Sequence, residues 1–132
     1  MTINVEHRVH FYDTDTMGVV HHSNYIKWFE LGRVEYLRKL NVTLGEMMND
    51  DILCPITEIE AKYKSPARFD DEIVIETTAT ALTKVKMEFE YKVFRKTDNK
   101  ILVIGRSQNV FTDKNTGKII RLPEKYCTRL NI

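Results

Sequence analysis

A chain of 132 residues has room for one core and little for a second, so a single domain spanning residues 1–132 is expected. Its 20 Lys and Arg balance 19 Asp and Glu and the signs alternate along the chain, which argues against a surface built to grip a nucleic-acid backbone. Cys54 and Cys127 form neither a CxxC pair nor a disulfide framework, Met1 to Glu6 carry no signal-peptide pattern, and Ile101 to Ile104 is the longest apolar run, so a cytoplasmic protein without a membrane span is expected.

Ile3 to Phe11 reads as a strand, with Ile3, Val5, Val9 and Phe11 at alternate positions interrupted only by the polar His7. It delivers Tyr12 and an Asp13-Thr14-Asp15 turn, followed by a loop containing Gly18. Ser23 or Asn24 is the expected N-cap of a helix reaching about Leu40, in which Tyr25, Phe29, Gly32, Tyr36 and Leu40 repeat at the helical period. Trp28, Leu31, Val34 and Leu37 widen its apolar surface beyond one stripe, so the helix is expected to be enclosed on most sides. Arg38 and Lys39 complement the negative end of its dipole, and Asn41 suits the position just past its end. Thr43 and Glu46 have capping-box spacing, which predicts a short second helix over Thr43 to Asn49.

The remainder reads as strands. Ile59, Ala61 and Tyr63 alternate with charged residues, as do Ile73 and Ile75, and the alternation is cleanest over Val85, Met87, Phe89, Tyr91 and Val93. A longer strand over Ile101 to Thr112 follows a Thr97-Asp98-Asn99 turn, and Lys118 to Leu122 forms a short segment after another turn. One strand, one long apolar helix and consecutive strands joined by short turns give an α+β fold with an antiparallel sheet. A sheet curving around one central helix and a cystatin-like wrap both satisfy this pattern.

Asp15 precedes Gly18 and the helix start. A carboxylate there can attack an activated carbonyl or deprotonate water, while unpaired amides of the first helical turn stabilise developing negative charge. The string Phe11-Tyr12-Asp13-Thr14-Asp15-Thr16-Met17-Gly18-Val19-Val20-His21-His22-Ser23-Asn24-Tyr25 continues through Trp28-Phe29-Glu30 and Arg33. Together with Tyr63-Lys64-Ser65-Pro66-Ala67 and Phe69-Asp70-Asp71, it resembles the hotdog-fold acyl-CoA thioesterases of the hydroxybenzoyl-CoA thioesterase and YbgC type. The resemblance spans the chain and is most specific over Phe11 to Arg33.

It implies a curved antiparallel sheet wrapped around the long helix, a catalytic carboxylate at Asp15 and a carbonyl-polarising amide near His22. The His22 side chain matches a histidine of the YbgC branch, and relatives place basic CoA contacts in the hairpin that holds Lys84 and Lys86. Lys62 and Lys64 are secondary candidates. A homodimer or homotetramer with the site at a subunit boundary is implied as well. The expected activity is hydrolysis of acyl-CoA to a free acid and CoA, with Asp15 as nucleophile or general base. Acyl groups on acyl carrier protein, or a non-catalytic acyl-binding role, are the alternatives.

Tyr25, with Trp28, Met47 and Met48, is a candidate for shaping an acyl pocket, although such residues serve more often as core. Asp13 reads as a turn residue and His21 as a solvated loop residue. A buried Arg33 needs a partner, for which Glu30 is in reach along the helix. No metal is expected, because His7 and His10 should face opposite sides of a strand and His21 and His22 are adjacent; the chemistry requires no cofactor.

Overall fold

The computed structural model describes all of residues 1–132. In chain order it contains β1 (Thr2–Arg8), a 3-10 turn (Phe11–Asp13), α1 (His22–Lys39), α2 (Leu44–Asn49), β2 (Ile52–Leu53), β3 (Ile56–Tyr63), β4 (Glu72–Leu82), β5 (Lys86–Arg95), β6 (Ile101–Val110), β7 (Thr112–Asp113) and α3 (Glu124–Leu130). Five of the strands form one antiparallel sheet in the order β1-β4-β5-β6-β3, while β2 pairs with β7. The alternation along β5 sets its inner face, and Met87, Phe89, Tyr91 and Val93 are all buried against the helix side.

The sheet register explains why α1 lies so close. Ile3, Thr77, Tyr91, Gly105 and Ala61 form one row across the five strands. The Phe29 ring stacks on Tyr91 at 4.5 Å, and a Cβ on Gly105 would overlap that ring. A Cβ on Gly32 would overlap Thr77 Oγ1 and stand 3.0 Å from Ile75 Cγ2. Two glycines, one on each layer, therefore let the side chains of the opposite layer pack directly on the backbone of helix and sheet.

α1 ends as its sequence predicts. Asn41 adopts φ 61°, and Asn41 N donates to Arg38 O (3.0 Å) while Val42 N donates to Leu37 O (3.0 Å), so two of the last carbonyls are satisfied. Thr43 Oγ1 accepts from Glu46 N at 3.2 Å and starts α2.

Four expectations change. β1 stops at Arg8 because the chain tightens into the 3-10 turn, which leaves Phe11 and Tyr12 exposed. β3 is an edge strand, and its Ile59 and Tyr63 are exposed instead of half-buried. The strand expected over Ile101 to Thr112 breaks at Phe111, and Lys118 to Leu122 contributes only a single bridge, Thr112 to Ile119. α3 was not expected; it starts after Pro123, buries Tyr126, Cys127 and Leu130, and is tied to α2 by Arg129–Glu46 (2.6 Å) and to Asp50 by Lys125 (2.8 Å). No helix is long and apolar enough to cross a membrane.

Candidate active site

The loop from Thr14 to His21 folds back on itself. Thr14 and Val20 form a bridge, Asp15 N donates to Val19 O (2.9 Å), and Gly18 N donates to Asp15 O (3.0 Å). Gly18 turns the chain at φ 77°, a left-handed conformation that costs glycine little. Asp15 Oδ1 accepts from Met17 N at 2.8 Å, which orients the half-exposed carboxylate and leaves Oδ2 with no partner in the chain.

The helix start differs from expectation in its cap. His21, not Ser23 or Asn24, is the N-cap: its Nδ1 accepts from Ser23 N (3.2 Å) and lies 2.8 Å from Ser23 Oγ. Asn24 N donates to His21 O at 3.0 Å. This leaves the N–H of His22, the first helical residue, without an acceptor in the chain. Asp13 is buried and holds the turn, since its Oδ2 accepts from His10 N (3.0 Å) and its carbonyl accepts from His21 N (2.9 Å) and Asn24 Nδ2 (2.9 Å).

Asp15 and His22 line the same cleft of about 350 Å³, together with Val19, Val20, Tyr25 and the segment Tyr63 to Pro66. Tyr25 is buried, and its hydroxyl accepts from Ala67 N at 3.0 Å; burial raises its pKa above the ordinary tyrosine value, opposed by that backbone bond. Tyr63 donates its hydroxyl to His22 O (3.1 Å). Arg95 donates to Pro66 O (3.0 Å) and pairs with Asp71 (3.1 Å) and Asp98 (3.0 Å), so the wall from Ser65 to Asp71 is held from both ends. Lys64 supplies a cation at the cleft, whereas Lys62 stands beside Glu60 (4.0 Å) on the outer sheet face. Ser65 and Pro66, which sequence reasoning placed in a motif without a role, are wall residues.

Other candidates lie elsewhere. Lys84 and Lys86 sit at the β4–β5 hairpin, at the opposite end of the sheet, roughly 30 Å from the Asp15 end at about 3.3 Å per strand residue. Lys86 pairs there with Glu88 (3.2 Å), so neither lysine reaches Asp15 within one chain. Trp28 and Met47 are buried in the core, Met48 is exposed, and none of the three lines the cleft. His7 and His10 do not face opposite sides: with β1 ended at Arg8, their rings meet edge to face at 5.4 Å, and burial followed by the neighbouring His10 lowers the His7 pKa. Arg33 is buried but pairs with no carboxylate; its Nη1 donates to the Tyr91 hydroxyl at 3.1 Å.

A larger groove, about 400 Å³, runs over the outer sheet face. Its charges pair with one another, as in Lys92–Glu76 (3.8 Å) and Arg106–Glu60 (3.8 Å). Asp15, with a carboxylate oxygen free of partners, and His22, whose backbone amide is free of partners, both line this cleft, and such groups are what acyl transfer uses.

Comparison with known proteins identifies the family and the fold. The family model of the thioesterase-like superfamily matches residues 9–130. The chain is 35% identical to the acyl-CoA thioesterase YbgC of Haemophilus influenzae over 68% of this chain and 67% of that protein. Among solved structures, a DHNA-CoA thioesterase from Staphylococcus aureus superposes with a TM-score of 0.90 at 23% identity, covering 98% of this chain and 91% of the other. A hypothetical protein from Aquifex aeolicus superposes with a TM-score of 0.88 at 27% identity, covering 97% and 98%. The α+β architecture, the Phe11 to Arg33 string and these likenesses converge: the chain belongs to the thioesterase-like superfamily of hydrolases and has the hotdog fold.

Proposed function

We propose that the protein hydrolyses acyl-CoA thioesters to a free carboxylic acid and CoA, with Asp15 as the reacting carboxylate. The observation that supports this most is the pairing, in one cleft, of an unpartnered Asp15 Oδ2 with the unpartnered His22 N–H. The carboxylate attacks the thioester carbonyl or takes a proton from the attacking water, negative charge collects on the carbonyl oxygen, and the His22 amide at the positive end of α1 stabilises it. The C–S bond then breaks. With Asp15 as base, the free acid forms directly and the proton held by Asp15 passes to the departing CoA thiolate. With Asp15 as nucleophile, the thiolate takes a proton from solvent, and water then cleaves the Asp15 mixed anhydride to the free acid, restoring the carboxylate. The His22 ring, tilted against His21 at 4.2 Å between centroids and edge-on to Tyr63 at 6.4 Å, stands at the cleft and orients the water or the thioester. Lys64 and Tyr25 contribute charge and wall. The Haemophilus influenzae and Staphylococcus aureus relatives are named for acting on CoA thioesters, in keeping with this chemistry.

A homodimer reconciles the distant lysines with the cleft. β3 leaves one edge of backbone donors and acceptors unpaired and exposes Ile56, Ile59 and Tyr63, an arrangement that invites strand pairing. Two copies joined antiparallel along β3 bring the partner's β4–β5 hairpin, with Lys84 and Lys86, to the Asp15 end, where they meet CoA phosphates. Light scattering after size exclusion tests this directly; a monomer refutes it.

The activity is tested by thiol release over a graded acyl-CoA series, alongside the same acyl groups on acyl carrier protein. Turnover of the CoA esters supports the proposal. Release from the carrier protein alone, or binding without thiol release across the series, overturns it.

A further inference from the structure

The β4–β5 hairpin shares its end of the sheet with a second source of positive charge. The segment from Lys118 to Leu122 is laced onto it by backbone bonds: Leu122 N donates to Lys84 O (2.7 Å), Phe111 N to Val85 O (3.2 Å) and Ile120 N to Phe111 O (2.9 Å). Leu122 is buried while Lys118 and Arg121 are exposed, so the segment is anchored by its apolar residue and offers its charges to solvent. Thr112 of β7 pairs with Leu53 of β2 and bridges to Ile119. The segment therefore lies on the side of β7 away from β2, the strand that leads into β3, and pairing along the β3 edge leaves it uncovered.

The charges of this surface do not cancel. Lys86 pairs with Glu88 (3.2 Å), but Lys84, Lys114, Lys118 and Arg121 have no carboxylate within ion-pair distance. Asp113 and Glu124 are the acids of this stretch of chain, and Asp113 Oδ1 is engaged by the amides of Asn115 (2.8 Å) and Thr116 (2.9 Å). The outer sheet face is built differently: there Lys92 stands against Glu76, and Arg106 against Glu58 and Glu60. Cations left unpaired together raise the local concentration of anions.

CoA carries its thioester and its nucleotide at opposite ends of a long flexible arm, so its phosphates are met well away from the reacting carbon. The bridging diphosphate brings one charge on each phosphorus, and the 3′-phosphate, a monoester, brings about 1.5–2 more. Lys84, with a Lys86 already paired to Glu88, leaves much of that charge unmatched.

We propose that Arg121 and Lys118 hold the 3′-phosphate of the CoA nucleotide and make the protein prefer CoA to thiols that lack this group. The inference rests on the acyl-CoA reading above. In the antiparallel dimer both residues travel with Lys84 and Lys86 toward the Asp15 end of the other copy. There Lys84 and Lys86 meet the diphosphate, the guanidinium fork of Arg121 takes two oxygens of the monoester, and Lys118 adds a point charge.

Calorimetric titration of the full-length protein with adenosine 3′,5′-bisphosphate and adenosine 5′-monophosphate reads the patch without turnover. In low salt the bisphosphate binds roughly tenfold more tightly, and Arg121→Gln combined with Lys118→Gln brings the two nucleotides to within about twofold. Both positions are exposed, so the double variant keeps the fold. Lys39→Gln removes an equally unpaired, exposed charge from the end of α1 and leaves the preference intact. Turnover gives a second readout: the ratio of kcat/KM for one acyl group on CoA over the same group on dephospho-CoA falls from roughly tenfold toward unity in the double variant.

Equal affinities for the two nucleotides in wild type, an unchanged preference in the double variant, or the same loss in Lys39→Gln overturns the proposal. So does a double variant that loses turnover of acyl carrier protein esters with its CoA ratio unchanged, which makes the patch a docking surface for an acidic protein. If no acyl-CoA is turned over, the acyl-CoA reading fails, and calorimetry alone decides whether the patch holds a 3′-phosphate.

Discussion

Replacing Tyr25 by Phe separates a brace from a substrate contact. The Tyr25 hydroxyl accepts from Ala67 N at 3.0 Å, and Ala67 is fully buried, so the variant strands an N–H with no water to replace the lost partner. Such a loss costs about 1–3 kcal/mol. The phenyl ring keeps its edge-on contacts with Trp28 (4.8 Å) and Tyr63 (5.2 Å), so little packing is lost besides. For a chain of this length each kcal/mol moves the melting temperature by about 3–5 °C, and calorimetry should show a fall of roughly 3–15 °C. The damage reaches the cleft, because Ala67 O accepts from Val20 N (2.9 Å) in the loop between Asp15 and His22; kcat should drop more than KM changes. An unchanged melting temperature with a raised KM would refute this reasoning and make the phenol a substrate contact.

Gly32→Ala forces a Cβ into Thr77 Oγ1 and against Ile75, and should lower stability by about 1–3 kcal/mol in a denaturant melt; an unchanged midpoint would show that α1 has room to retreat. Lys84→Ala combined with Lys86→Ala should raise KM for CoA esters at low ionic strength with kcat retained, and added salt should erase the difference; no effect at low salt removes the hairpin from CoA binding. The folded pKa of His7 lies below its ordinary 6.5, so the unfolded chain binds more protons between the two values. Its contribution is therefore present above pH 6.5 and lost as pH falls toward the folded pKa, and His7→Gln should flatten the drop in melting temperature below that pH.

Elements carrying their own signals were readable from the chain. The apolar period, Arg38 and Lys39 in the last turn and Asn41 beyond it define α1, and the charge alternation of β5 defines the inner sheet face, because both are local properties. The burial of β3 was misread because alternation describes a strand's two faces but not its place in the sheet; at the edge, with α1 touching it chiefly through Tyr63, Ile56, Ile59 and Tyr63 stay exposed. α3 was missed although Pro123, Glu124 and Arg129 are helix-start and helix-end residues, since its seven residues give a short pattern next to the chain terminus. Within the site, Asp15 and the helix start were visible as an ordered string. The His21 cap was not, because histidine is an uncommon cap, and the Ser65 to Ala67 wall was not, because its approach to Tyr25 and Val20 is a tertiary fact.

Chemistry at the Asp15 carboxylate, opposite the His22 amide, is the claim from which the functional reading is built. Asp15→Asn keeps an oxygen for Met17 N and changes a half-exposed position, so the fold should survive with stability altered by about 0.5 kcal/mol or less. Thiol release from acyl-CoA by the purified variant should then fall by roughly 10²–10⁴-fold in kcat. A folded Asp15→Asn protein turning over at the wild-type rate would contradict the account.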